Sequence, residues 1–174
     1  KILLARPDLR PALKKIFHRA EFVASFAPWA LREVEGLLGK RQGPTKVIPC
    51  PTELDETRTP QMEGDGFLTV FHLDSYRRKN LQCMTEAIAL LEAQGNTERL
   101  LVVGAGSEQA GAAVSKLCSG TPSVDLYGAA ARSEVRELMN RATAFVLPSR
   151  RESFGLVFVE ALFAGCPIIY PRGR

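Results

Sequence analysis

The chain has 174 residues, 45% of them hydrophobic and 24% charged, which is the range of a globular protein with room for one domain or one domain plus part of another. No apolar run reaches the ~18–20 residues that span a bilayer, and the basic start "KILLARPDLRP" lacks the apolar core of a signal peptide. Cys50, Cys83, Cys118 and Cys166 lie far apart with no C-x-x-C, which excludes a recognisable zinc site, argues against a disulfide framework and leaves buried, reduced thiols as the expectation.

Residues 1–44 read as the end of one helix, a strand at 21–25 and a second helix begun by Pro28, the tail of a preceding domain. A short strand at 45–48 falls in a linker, rich in Pro, Thr and acidic residues, that runs to residue 66. From residue 67 onward short strands alternate with helices. Strand 67–73 is followed by helix 78–94, strand 99–105, helix 108–118 and strand 123–129. Helix 133–142 with a cap at Ser133, strand 143–149, a helix starting near Gly155 and strand 167–171 complete the series. Strands without polar alternation, separated by helices, predict an α/β fold with a doubly wound, Rossmann-like parallel sheet covered on both faces. "YPRGR" ends just after a strand and the first residue is not Met, so the domain reads as an incomplete piece of a longer protein.

In such sheets a ligand lies at the carboxyl ends of the strands, where the strand order reverses. Three segments fall at strand ends of this kind. In "HLDSYRRKN", Arg77, Arg78 and Lys79 precede a helix; cations there suit a phosphate or pyrophosphate, with a solvated basic turn as the plain alternative. The net charge of +4 likewise favours anionic partners, whether phosphates or an acidic lipid surface. In "VVGAGSEQAG", Gly104 and Gly106 would let a ligand approach the backbone, or simply make a tight turn. As a dinucleotide fingerprint it is weak, because Gln109 stands where a third glycine belongs and Asp125 opens its strand, the wrong end to meet a ribose.

The third segment, "RESFGLVFVE", puts Glu152 in a loop, Gly155 at a helix start and Glu160 inside the helix. Glu160 is the single charge between Phe154 and Pro171. Eight helical residues rise about 12 Å and rotate roughly 80° off register. Two carboxylates so placed are poorly arranged to share one proton or one metal, and better suited to gripping two parts of an elongated ligand. The backbone N–H groups of Phe154, Gly155 and Leu156 lie between them and suit phosphate or hydroxyl oxygens. An unpaired buried carboxylate is costly, so Glu160 needs sugar or ribose hydroxyls, or else a basic residue of the fold.

"PSRRESFGLVFVEALFAGCPII" resembles the signature of retaining GT-B glycosyltransferases of family 4 (glycosyl transferases group 1), P-S-x-x-E-[SG]-F-G-L-x-x-x-E-A-x-x-x-G-x-P-[VI]-[VI]. "SYRRKN", "RLLVVGAG" and "VDLYGAAARSEVRELMNRATAFVLPS" match the family in order, so the resemblance covers about 67–171. It implies the C-terminal half of a GT-B architecture, with 1–44 the tail of the acceptor-side domain, 45–66 the interdomain linker and 67–174 a truncated nucleotide-sugar-binding domain. It also implies that Glu152 contacts the donor sugar and that Glu160 binds the ribose hydroxyls. Ser153, Phe154, Gly155, Leu156, Gly104 and Gly106 would complete the donor site, and backbone near Tyr127, Gly128 and Ala129 would contact the base. Lys79 would neutralise the diphosphate together with Arg77 or Arg78, the "RKN" form favouring Arg78, since His72 stands where the family usually has Arg.

The substrates implied are a nucleoside diphosphate sugar and a carbohydrate or lipid-linked acceptor, with no cofactor, no required metal and no nucleic acid. A cytoplasmic location is expected, with peripheral contact at the inner face of a membrane. This stretch alone is expected to bind donor but transfer poorly. The competing expectations are a catalytically silent binding module of the same fold and another GT-B enzyme, such as a sugar-nucleotide epimerase or a phosphorylase.

Overall fold

A computed structural model describes residues 6–52, 54, 56–61, 63–152 and 154–172. It divides into two compact units, Lys1–Pro51 and Thr52–Arg174.

In the first unit helix α1 (Arg10–Arg19) leads to strand β1 (Val23–Ser25), helix α2 (Pro28–Leu38) and strand β2 (Thr45–Val47). Strands β1 and β2 pair in parallel, Val23 opposite Thr45. That pairing draws 45–47 into the first unit, whereas the sequence placed the linker from residue 45; the compact unit extends to Pro51. Arg41, buried here, donates to the carbonyls of Phe17 and Ala20 at the end of α1 and sits over the Phe17 ring. A cation at a helix C-terminus satisfies carbonyls that have no partner within the helix.

The second unit is an α/β layer structure. Its strands are β3 (Phe67–Val70), β4 (Leu100–Val103), β5 (Val124–Gly128), β6 (Ala144–Val146) and β7 (Ile168–Ile169), all parallel in the order β5-β4-β3-β6-β7. The helices are α3 (Tyr76–Lys79), α4 (Leu81–Ala93), α5 (Glu108–Cys118), α6 (Arg132–Arg141) and α7 (Leu156–Phe163). Helices α4 and α5 touch each other, as do α6 and α7, as expected when right-handed crossovers put each pair on its own face. Leu68, Val102 and Phe145 on the strands pack with Leu81, Val114 and Ala161 on the helices, all but fully buried. The sheet is thus the doubly wound one the sequence predicts. The chain runs from β3 outward to β5, returns to β6 beside β3, and continues outward. The carboxyl ends of β3 and β6 therefore flank the point where strand order reverses, the usual ligand position in such sheets.

Two local readings are corrected. The helix expected over 78–94 is broken at Asn80, whose left-handed φ of 62° ends α3 and starts α4; asparagine tolerates that conformation better than other non-glycine residues. The helix expected to be capped by Ser133 starts earlier, with Ala131 at the N-cap, and the Glu134 carboxylate accepts the Ala131 N–H at 3.4 Å. A serine cap does occur on α5, where Ser107 Oγ accepts from the Ala110 N–H. All four cysteines are free thiols; Cys118 and Cys166 are buried, but Cys83 is exposed and Cys50 half-buried. Burial pushes the Cys118 thiol up to about 11. Among the described residues no helix is long and apolar enough to cross a membrane.

Candidate functional site

The reversal point brings together residues 73 positions apart. Lys79, at the end of α3, is buried, and its Nζ lies 2.5 Å from Glu152 Oε2 in the loop after β6. Ser149, also buried, donates its hydroxyl to the same carboxylate oxygen at 3.1 Å. The Lys79 and Glu152 side chains are only 11% and 26% exposed. Charges so withdrawn from water depend on each other, since either one left alone would carry an uncompensated desolvation cost.

The break at Asn80 lets this happen. The Arg150 N–H donates to the Arg78 carbonyl at 2.9 Å, and Arg150 Nε donates to Asn80 Oδ1 at 3.2 Å, so the β6 loop is stitched to the α3–α4 junction. Arg78 donates to Ser75 Oγ and to the Arg151 carbonyl, on the exposed side of the same loop. His72 also is exposed, 3.2 Å from Asp74. Asp74 accepts both the N–H and the hydroxyl of Ser107, and these bonds hold its carboxyl below the usual carboxylate range. The β3 loop is in this way clasped to the start of α5.

Gly155 closes the same loop as the N-cap of α7, with φ of 77°, a left-handed conformation that favours glycine. Leu156 is the first residue of α7; N–H groups in a first helical turn have no acceptor inside the helix. Phe154 is half-buried beside them, and Ser153 lies outside the described residues.

Glu160 sits elsewhere. It lies on α7, its side chain 30% exposed, with Oε1 3.5 Å from Arg132 Nη2 on α6. The sequence left ribose or sugar hydroxyls and a basic residue of the fold as partners for this carboxylate; the structure gives it partial solvent access and a long contact to a basic residue. It borders a cleft of about 210 Å³ lined by Leu54, Arg132, Ser133, Arg136 and Met139 among others. The two motif glutamates thus face different basic residues, Lys79 and Arg132. Among the described residues no group of three His, Cys, Asp or Glu side chains could hold a metal ion.

The glycines after β4 answer to their own chain. A Cβ on Gly104 would lie 1.9 Å from the Phe71 carbonyl oxygen, and one on Gly106 would lie 2.7 Å from Leu73 Cβ. Close packing of the β3 and β4 loops accounts for both residues without a ligand. At the end of β5, exposed Tyr127 donates its hydroxyl to Glu134, which raises the phenol's pKa. Gly128 follows in a left-handed conformation, and Ala129 is exposed. Asp125 pairs with Arg99 at 2.6 Å near the opposite end of the strands, which removes the residue a dinucleotide reading needed. Sequence reasoning passed over Ser149, Asn80 and Arg132. All three stand inside quoted motifs ("PSRRES", "RRKN", "VDLYGAAARSEV"), but nothing local in those stretches shows which partner each meets.

The reversal point of the parallel sheet thus holds a buried lysine paired with a carboxylate, beside a glycine-led helix start. A family model described as glycosyl transferases group 1 matches residues 65–172, and the chain belongs to that family. No curated protein matches it in sequence. Among solved structures, TarM is similar over 94% of this chain at 11% identity and a TM-score of 0.74. Sucrose-phosphate synthase from Thermosynechococcus elongatus is similar over 94% at 23% identity and 0.72. The pneumococcal O-GlcNAc transferase GtfA, solved with UDP and GlcNAc, is similar over 91% at 17% identity and 0.66. The chain spans 32%, 44% and 32% of those three chains respectively. These likenesses establish the fold of the C-terminal domain of a GT-B glycosyltransferase.

Proposed function

We propose that the chain forms the donor half of a retaining, family 4 glycosyltransferase, which moves a sugar from a nucleoside diphosphate sugar to a carbohydrate or lipid-linked acceptor. The observation that carries this reading is the Lys79–Glu152 pair at the strand-order reversal, next to Gly155 and the start of α7. A departing diphosphate gains negative charge in the transition state. A fixed ammonium and a helix N-terminus aimed at that charge stabilise it without reorganising. Lys79 and Arg78 then bind the diphosphate, while Glu152 touches the transferred sugar. Glu160 exchanges its long contact with Arg132 for the ribose hydroxyls, beside the cleft between α6 and α7. Backbone at Tyr127 to Ala129 meets the base. Retention proceeds without a protein nucleophile, and the cations at the β3 loop take the role a metal has in other transferases. The protein works in the cytoplasm, in peripheral contact with a membrane.

Calorimetric titration of the full-length protein with UDP- and GDP-sugars, against NAD(H), tests the reading. Saturable binding of one nucleotide sugar, lost in Lys79→Met, is expected; binding of none, or of NAD(H) alone, would sink it. A protein that binds donor yet neither hydrolyses nor transfers it would be a silent module instead.

A further inference from the structure

A cleft larger than the one beside Glu160 lies elsewhere in the second unit. About 540 Å³ lies open between the α3–α4 junction and α5, lined by Tyr76, Arg77, Asn80, Lys116, Leu117 and Arg150 among others. Its size is that of a small-molecule pocket. Arg77, Lys116 and Arg150 place three cations around it, and among the described residues no carboxylate lines it. Arg77 lies over the Tyr76 ring, 5.4 Å from its centroid, and donates to the Tyr76 hydroxyl, which fixes its guanidinium at the wall. Lys116 is exposed on α5. Lys79 and Glu152 do not line the cleft and it shares no residue with the cleft at Glu160, although Asn80 and Arg150 on its wall also brace the loop that carries Glu152.

An adjoining recess of about 300 Å³ shares Tyr76, Arg77 and Ala113 and adds Asp74, Ser107 and Gln109. One end of the groove is therefore cationic and the other rich in hydrogen-bonding oxygens and amides. Tyr76, Ala113 and Leu117 add apolar surface to the lining. A fixed arginine fork and a lysine suit phosphate oxygens, and carboxylate and amide groups suit hydroxyls.

We propose that this groove is a second anion site, distinct from the donor site, that binds the phosphate ester of a sugar or polyol. The phosphate sits among Arg77, Lys116 and Arg150, and the hydroxyls point towards Asp74 and Gln109. The same chemistry is offered by a soluble sugar phosphate and by a glycerophosphate lipid headgroup, and the test separates them. Glucose 6-phosphate is titrated calorimetrically into the full-length wild type, Lys116→Glu and Lys79→Met. Each protein is also sedimented with phosphatidylglycerol vesicles and with phosphatidylcholine vesicles. Lys116→Glu should weaken binding about tenfold or more, the size of a lost charge-assisted contact, while Lys79→Met leaves it unchanged. Saturable glucose 6-phosphate binding with that pattern assigns a soluble ligand. Lys116-dependent sedimentation with phosphatidylglycerol alone, without glucose 6-phosphate binding, assigns a lipid headgroup. Binding of neither, binding indifferent to Lys116→Glu, or binding abolished by Lys79→Met with its fold intact would overturn the proposal.

Discussion

The two motif glutamates, eight residues apart, are almost equally exposed, 26% and 30%, yet are held very differently. Glu152 is held by a buried lysine at 2.5 Å and a buried serine at 3.1 Å; Glu160 has an arginine 68% exposed at 3.5 Å. The loop residue is the confined one, and the residue in the apolar helix is loose. The difference follows from position. Glu152 lies where the β3 and β6 loops converge, so its partner is supplied by the fold, whereas α7 turns Glu160 towards a solvent-reached cleft. In the proposed function, one end of the site is built before any ligand arrives, and the other is left open for one.

The tight end should give the largest effects. Lys79→Met and Glu152→Gln are each expected to cut turnover of the full-length enzyme by about 10²–10³-fold, the loss typical of removing one transition-state stabiliser. The pairing adds a condition to the simple division between a sugar contact and a phosphate contact. Because Glu152 also positions Lys79, Glu152→Gln should weaken inhibition by the nucleoside diphosphate as well as turnover. Undiminished inhibition would show that Lys79 keeps its place without Glu152. Folding stability carries the second effect. Lys79→Met strands a largely buried carboxylate and should cost roughly 2–3 kcal/mol in urea melts. The Lys79→Met, Glu152→Gln double variant should recover part of that loss; additive losses would mean the pair is not coupled.

At the loose end, Glu160→Ala should weaken nucleoside diphosphate binding by about 1–3 kcal/mol, a charge-assisted hydrogen bond's worth, with stability almost unchanged. Arg132→Ala should move stability by less than about 0.5 kcal/mol, as an exposed pair warrants. A large loss of stability in either variant would erase the contrast between the two ends.

How much of this was legible in the sequence depended on the range of the interaction. The parallel sheet was readable because "RLLVVGA" and its fellows are continuous apolar runs, a local property fixed by burial on both faces. The α3–α4 break was not, since "RKNLQCMTEAIALL" has helical composition throughout and one left-handed asparagine overrides it. Lys79 and Glu152 could each be singled out from motifs, but their contact spans 73 residues and exists only once β6 returns beside β3. Gly104 and Gly106 mark the reverse case. The sequence left room for a ligand or a plain tight turn there, and the structure shows the neighbouring loop packed against both glycines.

The smallest predicted effect concerns the clasp that steadies the tight end from behind. Asp74 accepts two hydrogen bonds from Ser107, at 2.9 Å from the N–H and 2.7 Å from the hydroxyl, and these lower its carboxyl pKa in the folded chain. An unfolded chain releases Asp74 to the ordinary value near about 3.9. Protons therefore bind the unfolded state first as the solution is acidified. The clasp's contribution is complete above that ordinary value and disappears as pH falls through the lowered folded one. Thermal melts of wild type and Asp74→Asn should accordingly differ at pH 6, with the wild type more stable, and converge at the acid end. Asparagine keeps the shape and one acceptor oxygen, so the difference should be small. A gap that stayed constant through the acid range would mean that Asp74 acts through packing, and that its charge does nothing for the loop carrying Lys79.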